Sequence, residues 1–221
     1  MTCILQIDTS GDESMVAISG DGVLLATVTR ADTRDHAAVI HGMTAEALAA
    51  AGLAFSDLAA VAVCAGPGSY TGLRIGMAVA KGFCYTLDIP LLLQNKLTLF
   101  AYQHIAAHGE AGQQYAVVLS ARTGEYFAAC YDASLHPVLA PQHMLHQALA
   151  AWLQDAGERL RVISGTEIFD DFSAVINSWS AAGAIEPAPW CRLAWQDFRE
   201  HKTADLAAAE PFYMKEVFIN K

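Results

Sequence analysis

The sequence predicts an α/β protein made of two strand-first units, and three observations carry that expectation. Short apolar runs rich in β-branched residues recur, as at Leu58-Ala59-Ala60-Val61-Ala62-Val63. Between them lie longer segments whose apolar residues return every third or fourth position, the helical period. After a polar stretch, His108-Gly109-Glu110-Ala111-Gly112, the strand-first order begins again. A boundary is therefore expected near residue 108, giving units 1–107 and 108–221, with a C-terminal tail that returns to the first unit.

The elements follow in order. Residues 3–8 read as a buried strand, and 15–19 and 23–29 as a hairpin around Gly20-Asp21-Gly22, because glycine tolerates positive φ. Asp35 can cap a helix in which Val39, Ile40, Met43, Ala47 and Leu48 recur at helical spacing until Gly52 ends it. A strand at 58–65, a glycine-rich break, a helix over 71–87, a strand at 90–93 and a helix at 97–107 complete the first unit. In the second unit, 115–119 and 125–131 form a hairpin around Arg122-Thr123-Gly124. A strand at 135–139, a helix at 143–152, a strand at 160–163 and a helix at 167–178 follow. Pro187 and Pro189 precede a last helix, and residues 211–221 form a tail.

Composition narrows the function classes. Of 221 residues, 54% are apolar and 16% charged, enough core material to argue against disorder. The formal net charge of −10 repels a phosphate backbone, so extensive nucleic-acid contact would need a more basic partner. Cys3, Cys64, Cys84, Cys130 and Cys191 form no CxxC pair, which fits a reducing, cytoplasmic setting rather than a disulfide framework or a cysteine zinc site. No apolar run approaches the ~20 residues that span a bilayer, and Asp8 arrives too early for a signal-peptide core. A cytoplasmic protein without membrane contact is expected.

The most informative segment is Gly66-Pro67-Gly68-Ser69-Tyr70-Thr71-Gly72-Leu73-Arg74-Ile75-Gly76. Glycines between a strand and a helix leave backbone N–H groups free for an anion, although the Walker ending is missing. With Asp8, Thr9 and Ser10 at the end of the first strand, Gly66, Gly68 and Ser69 form a candidate phosphate or nucleotide site. Asx and Ser/Thr turns produce the same letters for local reasons. Along the helix, Gly72, Gly76, Ala80 and Cys84 fall at successive i+4 positions, with Leu73, Met77 and Phe83 nearby. Such a bulk-poor stripe either lets a foreign helix approach or faces the protein's own sheet; spacing alone leaves both open. The histidines do not make a metal centre. His36 and His41 sit about 140° apart around a helix, and the His104/His108 pair lacks an acidic companion. No metal site and no catalytic residue can be named.

These residues resemble a known family. Ile4-Leu5-Gln6-Ile7-Asp8-Thr9-Ser10 followed by the Gly66–Gly76 stretch is similar to bacterial tRNA threonylcarbamoyladenosine biosynthesis proteins of the TsaB (YeaZ) type. The similarity runs to about Lys96 and returns at Ala121-Arg122-Thr123-Gly124-Glu125-Tyr126 and Glu210-Pro211-Phe212-Tyr213-Met214-Lys215. Ser120 departs from the acidic residue that family members often carry there. The resemblance implies a two-lobed ASKHA fold of the actin/Hsp70 type, each lobe a mixed sheet with helices.

It also implies a role without catalysis. Family members bind a catalytic subunit, TsaD, and act with an ATPase, TsaE, to modify the adenosine next to the tRNA anticodon, so tRNA is met indirectly. Catalytic relatives carry Asn-His-x-Glu-x-His, where this chain has Asn95-Lys96-Leu97-Thr98-Leu99-Phe100. Lysine and phenylalanine at the ligand positions cannot hold a divalent ion. The partner contact is expected on the helices at 35–51 and 71–87, through His36, Val39, Ile40, Met43, Gly72, Leu73, Gly76, Met77, Ala80 and Phe83. The same apolar face would let an isolated sample form a homodimer. No tightly bound cofactor is expected, with ATP or ADP only at the interface with the partner. The competing class is an ATP-dependent small-molecule kinase or ATPase of the same fold.

Overall fold

The computed structural model describes residues 1–31 and 36–213. Two compact units result: residues 1–96 with 186–212, and residues 97–185 with Tyr213. The expected boundary at 107/108 therefore differs from the division at Lys96/Leu97. The whole segment 186–212, not a tail alone, belongs to the first unit. Asp35, Met214 and Lys215 lie outside the described residues.

In the first unit β1 (Cys3–Asp8), β2 (Ser14–Gly20) and β3 (Val23–Arg30) are antiparallel, while β4 (Leu58–Gly66) and β5 (Leu91–Asn95) run parallel to β1. The order is β3-β2-β1-β4-β5. Asp21 and Gly22 both hold positive φ (50° and 82°), the two-residue turn that matches strand twist, so the glycine-flanked hairpin forms as expected. Alternation divides the strands between two faces. Leu5, Ile7, Val16, Ile18, Val61 and Val63 join the core under α1 (His36–Ala51) and α2 (Tyr70–Leu87). Gly52, at φ 69°, ends α1, and Asp88 in the left-handed region ends α2.

Residues on the opposite face meet α6 (Pro187–Arg199), which starts with proline at its first turn, where no N–H is needed. The Trp190 indole N–H bonds to the Gln94 side-chain oxygen, and Gln94 donates to Asp197 Oδ2 at 2.9 Å. After α6 the chain returns along the sheet edge. Ala204 N–H donates to Leu91 O (2.9 Å), Lys81 Nζ donates to Ala207 O and Ala209 O (3.3 and 3.2 Å), and Phe212 N–H donates to Ala65 O (2.7 Å). Ala209 is buried in the core. These bonds explain why 186–212 belongs with the first unit.

The second unit contains α3 (Lys96–His108) from Leu97 onward, β6 (Gln114–Arg122), β7 (Glu125–Asp132), β8 (Pro137–Leu145), α4 (His146–Ala156), β9 (Leu160–Ser164), α5 (Thr166–Phe172) and β10 (Trp179–Ala181). Its sheet order, β10-β9-β6-β7-β8, repeats the first: an antiparallel meander beside parallel strands. β8 is longer than expected and passes through Pro141. α5 stops at Phe172 rather than 178, and after a turn β10 begins at Trp179. Among the described residues, no helix is long and apolar enough to cross a membrane.

Candidate functional site

The turn after β1 packs directly on the start of α2, and that contact decides the fate of the phosphate-site residues. Ser10 N–H donates to Asp8 Oδ1 at 2.8 Å, an Asx turn. Thr9 Oγ1 donates to Gly72 O (2.7 Å), and Ser69 N–H donates to Ser10 O (2.8 Å). The Ser69 hydroxyl accepts from Gly72 N–H at 3.3 Å and so caps α2 with the chain's own atoms. A Cβ on Gly68 would lie 2.2 Å from Ser10 O, and one on Gly72 would lie 1.9 Å from Thr9 O. Thr9 and Ser10 are 1% and 2% exposed. Thr9 and Ser10 are thus committed to the chain's own contacts, while Gly68 and Ser69 remain exposed. The glycines at 68 and 72 are small because the turn at Thr9 and Ser10 crosses them. Gly66, at φ 113°, precedes a cis proline and lies beside Leu73 and the Phe212 carbonyl. Cys64, buried beneath this turn, has its thiol pushed up to about 12 by burial, with Asp8 adding to the rise and Lys96 opposing it.

The stripe on α2 also needs correction. Gly72, Gly76, Ala80 and Cys84, with Leu73 and Met77, all point inward. A Cβ on Gly76 would sit 2.4 Å from Thr9 Oγ1, so small residues are needed there for the protein's own turn and sheet. On α1, Ile40 and Met43 enter the same core, and His36 is buried with its Nδ1 2.6 Å from Ser14 Oγ. That serine–histidine pair has no counterpart in the sequence reading. Ser14 has no exposed surface, so no acyl substrate can reach its hydroxyl. Of the residues expected at a partner contact, Val39 and Phe83 remain half-buried at the surface edge.

The surface that α1 and α2 do present has a different register. Ala37, Ala38, His41, Gly42, Ala45, Glu46, Ala49 and Ala50 are exposed on α1; Tyr70, Thr71, Arg74, Ala78, Gly82, Tyr85 and Thr86 are exposed on α2. Glu46, the one carboxylate among them, is held by Arg30 at 2.5 Å. A groove of about 600 Å³ opens here, lined by His41, Phe55, Val79, Gly82, Phe83 and Leu87 among others. Phe83 is its floor, with His41 edge-on at 5.6 Å and Phe55 at 5.4 Å between ring centroids. Tyr85 beside it is 83% exposed. Solvent-facing helix surfaces normally carry charge, so this one fits an apolar occupant. Its second small pair, Ala78 and Gly82, was available in the sequence but masked by the longer inward stripe.

Elsewhere the polar residues are committed to structure. Glu125 bonds His143 at 2.8 Å across β7 and β8, and Tyr126 donates to Asp171 Oδ2 at 3.0 Å. Burial, then the Asp171 bond, pushes the Tyr126 hydroxyl up. Trp179 donates to Ser164 Oγ (3.0 Å) and packs on Phe169, so it is a core residue rather than a stacking platform. Phe100 is buried in α3. Among the described residues, no three or more His, Cys, Asp or Glu side chains gather where an ion could be held.

Comparison with known proteins agrees with this architecture. The family model described as TsaD, tRNA N6-adenosine threonylcarbamoyltransferase, matches residues 24–209. TsaB of Escherichia coli K12 is 28% identical over 96% of this chain and 94% of its own length. A tRNA N6-adenosine threonylcarbamoyltransferase of Granulibacter bethesdensis is 34% identical over 56% of this chain, which spans 36% of that protein. A solved Pseudomonas aeruginosa structure, described as similar to peptidase YEAZ, has the same fold at TM-score 0.84 and 22% identity, covering 97% of this chain and all of that one. With its two mixed sheets, its helices and these likenesses, the chain belongs to the TsaD family, ASKHA in fold and of the TsaB (YeaZ) type.

Proposed function

We propose that this chain is a non-catalytic subunit of the machinery that installs N6-threonylcarbamoyladenosine on tRNA next to the anticodon. It docks on a TsaD-like transferase through the outward face of α1 and α2. The observation that carries this reading is the charge-poor apolar groove at Phe83, on a chain whose relatives are threonylcarbamoyladenosine biosynthesis proteins and transferases. The acidic chain leaves the tRNA backbone to a more basic partner. A TsaE-like ATPase completes the assembly, and any ATP or ADP lies at the interface with the partner. In isolation two copies pair through the same face.

The test is co-purification of the chain with the TsaD-type transferase of the same organism, followed by threonylcarbamoyl transfer to tRNA. Complex formation and activity that need both proteins are expected. Phe83→Arg should abolish both while the chain stays folded, because an arginine in the groove cannot be covered without leaving a buried charge unpaired. Transfer by the transferase alone at the same rate would overturn the proposal, as would Mg-ATP turnover by this chain alone.

A further inference from the structure

Of the described residues that line the groove, His41 alone is ionisable. Its ring is exposed and stands edge-on to Phe83, 5.6 Å between centroids at 75°. The other lining residues are apolar except Thr86. One turn away along α1 lie Ala37, Ala38, Thr44 and Ala45, which carry no charge. Charged groups on the packed elements are turned to other tasks. Glu46 pairs with Arg30, Lys81 donates to the carbonyls of Ala207 and Ala209, Arg74 stacks on Tyr70, and Asp57 accepts from Ala54 N–H. Asp88 follows α2 and does not line the groove. Among the described residues, then, no lining carboxylate compensates an imidazolium at position 41. Neutral, the ring is an aromatic wall that an apolar occupant can cover; protonated, it must keep its water.

We infer that His41 makes this docking site proton-dependent: the groove receives its apolar partner while the ring is neutral and releases it as the ring protonates. The inference rests on the docking reading above and adds its regulation. An occupant seated over Phe83 covers the His41 ring and strips its water. Desolvating a charge without an opposite charge beside it is costly, so the complex holds the proton less well than the free chain does. By linkage, affinity is fully present above the ordinary histidine range and is lost as pH falls through it. About one proton leaves the ring for each complex formed on the acid side.

Isothermal titration calorimetry of the full chain with the purified TsaD-type transferase, at fixed ionic strength, tests this. A ring that protonates near ~6.5, as histidines generally do, should raise Kd about tenfold between about pH 7.5 and about pH 5.5. At the acid end the heat should vary with the ionisation enthalpy of the buffer, as proton release requires. His41→Gln should reduce the Kd ratio to about twofold and remove most of that proton release. His201→Asn, at an exposed histidine outside the groove, should keep both. A wild-type pH dependence that survives in His41→Gln would overturn the inference while sparing the docking reading. So would its loss in His201→Asn, which would make net charge, not the groove, the source. Tighter binding in acid that His41→Gln removes would mean that the imidazolium meets a partner carboxylate, and overturns it as well. No wild-type complex at any pH would remove the docking reading and this inference together.

Discussion

Helix α2 carries two small-residue rows, and they serve opposite purposes. Gly72, Gly76, Ala80 and Cys84 are buried, and a Cβ on Gly72 would collide with Thr9 O and one on Gly76 with Thr9 Oγ1. Ala78 and Gly82 are exposed on the other side, where a Cβ on Gly82 meets nothing within 4 Å. The same residue types on one helix are therefore an internal packing requirement on one face and an external opening on the other. What separates them is the neighbour, which comes from β4 just upstream and from β1 and the turn after it, far back in the sequence. Smallness by itself does not say who is meant to come close.

That contrast can be broken experimentally. The largest effect is expected inside: Gly72→Val would force a side chain into Thr9 O and should cost about 3 kcal/mol or more, read as a lower urea midpoint or an insoluble product. Ala80→Arg buries a charge at a position with no exposed surface and belongs to the same class. If either variant folds normally, the assignment of inner and outer rows is wrong. Lys81 sits between the rows, and its ammonium donates to the carbonyls of Ala207 and Ala209. Lys81→Met should cost about 1–2 kcal/mol and loosen residues 203–212 in hydrogen exchange. On the outer row, Gly82→Ala should instead raise stability by about 0.5–1 kcal/mol, because alanine gains helix propensity in open space.

The smallest effect lies in the second unit, which contains neither row. His104 is held below its ordinary value of 6.5, first by desolvation, then by His108 and Arg161, and its Nε2 has no hydrogen-bond partner. The folded state thus prefers the neutral ring. Stability should be fully present above the ordinary histidine value and decline as pH falls below it. His104→Gln should reduce the change in urea midpoint between neutral and mildly acidic buffer. An unchanged dependence would mean that other groups carry it.

Much of the fold was legible because it rests on local chemistry. The Asp21-Gly22 turn and the end of α1 at Gly52 each follow from what those residues allow their own backbone to do. The errors came where two letters far apart had to meet. Thr9 and Ser10 suggested a phosphate site because their hydroxyls looked available; Gly72 and Cys64 use them. His36 seemed poised at a helix surface, yet its ring turns inward to Ser14.

The sequence by itself determined the strand and helix order, the repeat of that order in two units and the family likeness, since periodicity, turn chemistry and motif are written along the chain. Only the tertiary structure decided which face of α2 is inside, that residues 186–212 complete the first unit, and where an apolar groove opens. The physical reason is that a side chain is buried or free according to what packs over it, and close packing is settled among segments that the chain brings together only when it folds.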